Sequence, residues 1–261
     1  GKIKNIKTLS NGLNNDNYLI NDKYVWKNIK NKYLFDHKNE IEILKRLKYI
    51  NLYYFDNDSI CINFLVGNNL DSSELKKYAK IITKKIKDFH NINFKTDKFW
   101  EDVIPSWFDK INDIILRNKL ITIYQNLNKF EKDENDLVLC HHDIHGDNII
   151  KNKNDLYFID LEFSFTDYFF VDLGNLVCEM YTDYHNQNYN FENISVDDKK
   201  LVLEYYFDGK DISDDLLKKI DIGIKISHFY WALWGFILHE KTKNTNFDYK
   251  KFAESRLNFL K

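Results

Sequence analysis

The sequence predicts an α+β fold with two lobes: a small antiparallel sheet with one helix, then a larger and mostly helical region. Three observations carry this. Short strand-like runs separated by Asn- and Asp-rich turns fill residues 1–66, with one stretch of helical period among them. From Asp71 onward the apolar spacing becomes helical. Inside this helical region a pair of short apolar runs, 137–140 and 156–159, read as buried strands, and each delivers polar residues at its end. Gly67-Asn68-Asn69 breaks the pattern, so a hinge is expected at 63–67, with lobes at 1–66 and 67–261.

The chain has 261 residues, enough for one large domain or two lobes around a sizeable core. Its 38 Lys and Arg against 40 Asp and Glu leave a net charge of −2, which argues against general nucleic-acid affinity. One Pro and eight Gly argue against disorder or a collagenous chain. Cys61, Cys140 and Cys178 are scattered through apolar runs and read as reduced core thiols, which points to the cytoplasm. Gly1 in place of Met reads as a processing scar, and no signal peptide is expected. The most apolar stretch, 220–238, carries Asp221, Lys225 and His228, so it is expected to be a buried core helix and not a membrane span.

Taken in order, 9–20 is a turn-rich loop running into a strand, and 21–23 turns into the strand 24–27. Backbone N–H groups in such a loop can cover phosphates, although any Asn-rich hairpin looks similar. Lys27 could reach phosphate oxygens; alone, a strand Lys is more often a solvated edge residue. Residues 36–49 have helical period, with Ile41, Ile43, Leu44 and Leu47 on one face. Glu40, in preference to Glu42, is expected to pair with Lys27. Strands follow at 53–55 and 60–66. Asp71-Ser-Ser-Glu74 is a capping box opening a helix to His90, with Leu75, Tyr78, Ala79, Ile82, Ile86 and Phe89 as its core stripe. Pro105 should start another helix burying Trp107, Phe108, Ile111, Ile114 and Ile115. Further helices are expected from Asp172 to about His185, over 197–207, and from 213 to about 243.

The chemistry concentrates in Leu139-Cys-His-His-Asp143-Ile-His145-Gly-Asp-Asn148 and in Ile159-Asp160-Leu-Glu162. Phosphoryl transfer from ATP needs a carboxylate to orient the attacking hydroxyl and hard oxygen ligands for Mg²⁺. His141-x-Asp143-x4-Asn148, followed by an Asp that closes a strand, supplies those components in the kinase order. The competing transition-metal reading lacks a Cys-x-x-Cys pair or a helical His pair. A small sheet with one helix, a hinge, and a helical lobe holding a short hairpin with the metal ligands is the layout of a bilobal kinase.

These motifs, together with Asp172-Leu-Gly-Asn175 and Ser227-His-Phe-Tyr-Trp-Ala-Leu-Trp234, resemble the choline/ethanolamine kinase family within the protein-kinase-like fold shared with aminoglycoside phosphotransferases. The resemblance covers nearly the whole chain, and its last motif is the one most particular to these kinases. It implies ATP and Mg²⁺ as cofactors and a small amino alcohol as substrate, with no nucleic acid and no membrane partner. Asp143 would orient the substrate hydroxyl, and Asn148 and Asp160 would hold Mg²⁺ with Glu162 close by. Ser10, Asn11, Gly12, Asn15 and Asn17 would cover the phosphates. Lys27, paired with Glu40, would touch them, and backbone groups of Asn63 and Leu65 would hold the adenine. Asp172 and Asn175 would brace the catalytic loop. Asn175 would also border the substrate together with His145, with Glu179 as countercharge, and Tyr184, Trp231, Trp234 and Tyr249 would wall the ammonium group.

A quaternary ammonium has no N–H to donate, so aromatic faces with a nearby carboxylate are the means of selecting it. Trp231 and Trp234, at i and i+3, share a helix face. Helical aromatics are usually plain core; the kinase residues upstream reverse that preference here. His142 stands where many members carry Asn, His145 where Gln is common, and Phe163 where Tyr is common. The expectation is a choline kinase. An ethanolamine kinase is the nearest alternative, an aminoglycoside or other amino-alcohol kinase a more distant one, and a nucleotide-binding pseudokinase the alternative of a different class.

Overall fold

The computed structural model describes residues 2–11, 15–30, 32, 34, 37–242 and 246–260. The N-terminal region is a five-stranded antiparallel sheet built from β1 (Ile6–Asn11), β2 (Asn15–Ile20), β3 (Tyr24–Ile29), β4 (Leu52–Phe55) and β5 (Ser59–Asn63) in the order β1-β2-β3-β5-β4. The register sets Lys27 of β3 opposite Asn17 of β2 and Ile60 of β5. One helix, α1 (Lys38–Leu44), packs Ile43 and Leu44 into the core under this sheet. It is shorter than the expected 36–49. Beyond Leu44 the N–H groups of Arg46, Leu47 and Ile50 bond three residues back, and these tight turns bring the chain round into β4.

After the two-residue strand β6 (Asn68–Asn69) comes α2 (Ser72–His90), opened by the expected capping box. The Asp71 carboxylate accepts the Glu74 N–H at 2.9 Å, and Glu74 accepts the Asp71 N–H at 3.3 Å. The single helix expected from Pro105 is broken. A π turn at Phe99–Val103 leads into α3 (Ile104–Trp107), a 3-10 turn follows, and the chain restarts as α4 (Ile114–Leu127) on an Asp113 cap. The periodicity therefore does not run across the break. Ile114 and Ile115 lie 66% and 84% exposed, contrary to their expected burial.

The strands of the site follow: β7 (Leu137–Cys140), β8 (Ile149–Asn152), β9 (Asp155–Phe158) and β10 (Phe165–Tyr168). The two expected strands do not pair with each other: β9 forms its hairpin with β8, a strand not expected from the sequence and extended by β6, while β7 pairs with β10. Helix α5 (Phe169–Glu179) is fully buried along its length. It starts three residues before Asp172 and ends at Glu179, short of His185, because the chain turns into a small ladder of β11 (Thr182–Asp183) with β12 (Asn188–Tyr189). Then come α6 (Val196–Tyr206), the long α7 (Asp214–Lys241) and α8 (Tyr249–Asn258). α5 and α7 cross in contact at Gly174 and Gly223. A side chain on either would drive into the partner helix's backbone, so two glycines permit this approach. Among the described residues no helix is long and apolar enough to cross a membrane.

Candidate active site

The site is assembled by the helix beneath it. The carboxylate of Asp172, buried at the start of α5, accepts the N–H of His141 at 2.8 Å and of His142 at 2.7 Å. One turn later the Asn175 side-chain oxygen accepts the Ile144 N–H at 2.8 Å. Two side chains at i and i+3 thus hold three backbone donors of the loop between β7 and β8. Burial opposes ionisation of Asp172, but the His90 ring at 3.0 Å and the loop N–H groups outweigh it and hold its pKa below the usual range. The Asn175 amide nitrogen donates to Ser227 on α7 at 3.2 Å. Asn175 has no exposed surface and both ends of its amide are engaged, so it is a brace and not the substrate contact expected for it.

Left-handed backbone occurs once in the loop that these residues hold and once more after β9. His142 has φ +66°, a left-handed conformation that Asn and His both tolerate better than most residues, which accounts for His where Asn is common. Its ring bonds the Phe163 carbonyl at 2.9 Å and Asp167 at 3.0 Å. His141 must carry its proton on Nε2, which faces the Ile159 carbonyl at 3.1 Å, while Nδ1 accepts the Asp143 N–H at 3.3 Å. Burial lowers its pKa, in keeping with a neutral ring. Asp160, at the end of β9, also has positive φ (+60°). Non-glycine residues persist in this region only where the surrounding structure enforces it.

These contacts bring Asp143, Asn148 and Asp160 to one place. The Asn148 amide nitrogen donates to Asp143 Oδ2 at 2.8 Å and to the Asp143 carbonyl at 3.0 Å, so the oxygen is what Asn148 offers to a cation. Its backbone carbonyl accepts the Ile159 N–H at 3.0 Å, tying it to the strand that ends in Asp160. An amide oxygen and a carboxylate are hard donors and fit Mg²⁺ better than a transition metal. Lys27 reaches in from β3 and sets its Nζ 2.8 Å from Glu40, 2.7 Å from Asp160 and 3.3 Å from Glu162. Burial opposes the ammonium, but these three carboxylates outweigh it and hold the lysine charged. Glu162 is buried, accepts Asn15 Nδ2 at 2.5 Å and shares the Lys27 ammonium with Asp160, which keeps it close to Asp160. Burial pushes its pKa up.

Of the expected phosphate-covering residues, Asn15 therefore faces Glu162, and Asn17 sits opposite Lys27 in the sheet. Ser10 and Asn11 end β1 opposite Asn17 and Asp16. Their side chains, and Gly12 altogether, lie outside the described residues. Asn63 ends β5. Its N–H already donates to the Asn51 carbonyl at 3.1 Å, so of its backbone groups only the carbonyl can serve an incoming base, and Leu65 lies half-buried two residues on.

Beyond Asp143 lies a chain of rings. Phe163 meets Trp231 at 5.0 Å between centroids, Trp231 meets Trp234 at 5.2 Å, and Trp234 meets Tyr249 at 5.5 Å. Tyr249 meets Phe247 at 5.0 Å, Phe247 meets Tyr184 at 6.4 Å, and Tyr184 meets His145 at 5.2 Å. All four expected aromatic residues are in it; Phe247 was missed. His145 sits 3.7 Å from Asp143 and 3.9 Å from Asp147. Burial works against its charged form, but Asp143, then Glu179 and Asp147, outweigh it and raise its pKa to about 9. Glu179 is not the free countercharge expected. Its Oε1 is paired at 2.5 Å with the buried Arg256 of α8, a residue that sequence reasoning passed over.

The comparisons with known proteins bear on this arrangement. The model of the choline/ethanolamine kinase family matches residues 24–261. The chain belongs to that family. It is 26% identical over 220 residues to a probable choline kinase 2 of Arabidopsis thaliana, a match covering 74% of this chain and 62% of that one. The chain spans 59–63% of the length of the first curated relatives it matches. A choline kinase from Cryptosporidium parvum superposes with a TM-score of 0.82 at 18% identity, over 98% of this chain and 87% of that one. An ethanolamine kinase from Plasmodium vivax gives 0.80 at 19% identity, over 98% and 81%. The α+β architecture, with its N-terminal sheet and helical C-terminal region, is that of the choline/ethanolamine kinases.

Proposed function

We propose that the chain is a Mg²⁺-dependent choline kinase that transfers the γ-phosphoryl group of ATP to the choline hydroxyl, giving phosphocholine and ADP. The observation that carries the reading is the placement of Asp143. Its carboxylate is held by Asn148 on one side and adjoins, through His145, an unbroken run of aromatic rings on the other. An alcohol bearing a cationic group needs both. The carboxylate accepts the hydroxyl hydrogen and orients the oxygen for attack. The rings hold the cation by cation–π attraction.

Asn148 and Asp160 would hold Mg²⁺, which supplies charge neutralisation on the phosphates. Lys27 would meet the phosphates, and Glu40 keeps it in place. Ser10, Asn11, Asn15 and Asn17 would cover them, with the backbone at 63–65 receiving the adenine between lobes at 1–66 and 67–261. Retention of Lys27, Asp143, Asn148 and Asp160 together argues for an active kinase over a pseudokinase.

Ethanolamine is the second reading, and Glu179 favours it. Its Oε2 has no hydrogen-bond partner among the described residues and could accept one ammonium N–H. Choline is preferred because the Glu179 charge is already neutralised by Arg256, which leaves rings as the main cation-binding surface. An aminoglycoside, with several amines, would call for an acidic and open site. A coupled ADP-release assay with choline, ethanolamine, thiamine and kanamycin, each with and without excess EDTA, tests this. The expected result is Mg²⁺-dependent turnover, fastest with choline. Turnover only with kanamycin, or turnover that survives chelation, would overturn it.

A further inference from the structure

Arg256 lies on α8, more than a hundred residues from the catalytic loop, and has no exposed surface. Its Nη2 donates to Glu179 Oε1 at 2.5 Å and lies 3.5 Å from both Thr182 Oγ1 and the Tyr184 hydroxyl. The rings of Phe191 and Phe252 flank the guanidinium at 5.0 Å each. Packing alone does not call for a charge here, since Phe252, Ala253 and Leu257 already fasten α8 to the core. A buried ion pair is weak evidence for stability, because desolvation offsets much of the attraction.

What the guanidinium does touch is two of the residues assigned above to the acceptor, Glu179 and Tyr184. Glu179 ends α5. The Tyr184 ring lies 5.2 Å from that of His145, tilted by 55°, and His145 is 3.7 Å from Asp143. Arg256 occupies one oxygen of Glu179 and leaves the other, Oε2, buried without a hydrogen-bond partner among the described residues.

We propose that Arg256 is a positioning residue that sets acceptor selectivity: by clamping Glu179 Oε1 and the Tyr184 hydroxyl it fixes one carboxylate oxygen and one ring at the cation pocket and cancels the Glu179 charge. The proposal rests on the amino-alcohol reading above. With the charge cancelled, the rings do most of the recognition, which favours a quaternary ammonium over a primary one. A primary ammonium can donate to a bare carboxylate; a quaternary one cannot. Removing the clamp therefore shifts preference toward ethanolamine.

The test compares Arg256→Gln and Arg256→Lys with wild type. Lysine keeps a charge for Glu179 but is shorter than arginine and does not carry it as far as Tyr184, which Nη2 of Arg256 reaches, so partial rescue is expected. Circular dichroism and the KM for ATP report on folding, and the lysine variant carries the test should the glutamine variant not fold. In Arg256→Gln the KM for choline should rise about tenfold, while kcat and the KM for ATP stay within about threefold. The choline-to-ethanolamine ratio of kcat/KM should fall in both variants, and less in the lysine one. Parallel loss toward ATP and acceptor, an unchanged ratio, or lysine no better than glutamine would overturn the clamp and leave Arg256 a packing residue. Wild-type protein that phosphorylates neither alcohol overturns the functional reading and the clamp with it. Active wild type with unmoved variants overturns the clamp alone.

Discussion

Asp172→Asn is the substitution that most sharply separates the brace under the catalytic loop from the chemistry above it. The wild-type carboxylate accepts two backbone N–H groups, at 2.8 and 2.7 Å, and faces His90 at 3.0 Å, all without solvent. Asparagine has one oxygen. Whichever way its amide turns, an NH₂ meets a loop N–H, that of His142 at the Oδ1 position or that of His141, together with the His90 ring, at Oδ2, and at least one buried donor loses its acceptor. An orphaned buried N–H costs about 1–3 kcal/mol. The expected loss is therefore about 1–3 kcal/mol. It should appear in urea unfolding followed by circular dichroism as a lower midpoint with an unchanged slope. Because the same N–H groups position Asp143, kcat should also fall by about 10²-fold or more in the fraction still folded. A loss below about 1 kcal/mol with kcat intact would refute the reasoning, since the loop would then be held by something other than Asp172.

Other outcomes follow from the same geometry. Trp231→Ala and Trp234→Ala should each cost choline about 5- to 30-fold in kcat/KM, from about 1–2 kcal/mol of lost cation–π contact, with ethanolamine losing clearly less. Equal losses in folded variants would make both residues core packing. The His145 imidazole, followed by NMR, should titrate near pH 9, and Asp143→Asn should lower that midpoint. A folded-state pKa raised above the unfolded value contributes stability that is complete below about pH 6.5 and is lost as pH rises to about 9, so His145→Gln should flatten the stability profile across that window. In Asp160→Asn, unlike Asp143→Asn, the KM for Mg·ATP itself should rise, because Asp160 pairs with Lys27 and is proposed to hold the metal.

Much of this site is written locally in the chain. The spacing from His141 to Asn148 fits between two strands only as a loop, and an Asp at the end of the second strand is read directly from the run of apolar residues before it. The pairing of Lys27 with Glu40 was legible because a strand Lys followed by a buried helix face leaves few partners. What escaped is what depends on distant contacts. Arg256 reads as a surface residue of a terminal helix, and only the fold buries it against Glu179. β10 carries Thr166 and Asp167, which break the apolar alternation; its pairing with β7 comes from tertiary packing. Ile114 and Ile115 carried the right period on the wrong helix, since Asp113 starts a new one. Asn175 looked like a substrate contact because an amide can be either a ligand or a brace, and that choice is made by Ser227 across the α5–α7 contact.

The central claim is that Asp143 directs an amino-alcohol hydroxyl onto ATP. It is tested most directly by ³¹P NMR of the reaction with Mg·ATP and choline, in wild type and in Asp143→Asn. The account predicts a phosphocholine resonance growing in step with ADP in the wild type. In the variant the rate should be lower by about 10²–10⁴, with ATP binding little changed. Phosphocholine formed at the wild-type rate by Asp143→Asn, or ADP and free phosphate appearing without phosphocholine in the wild type, would contradict it.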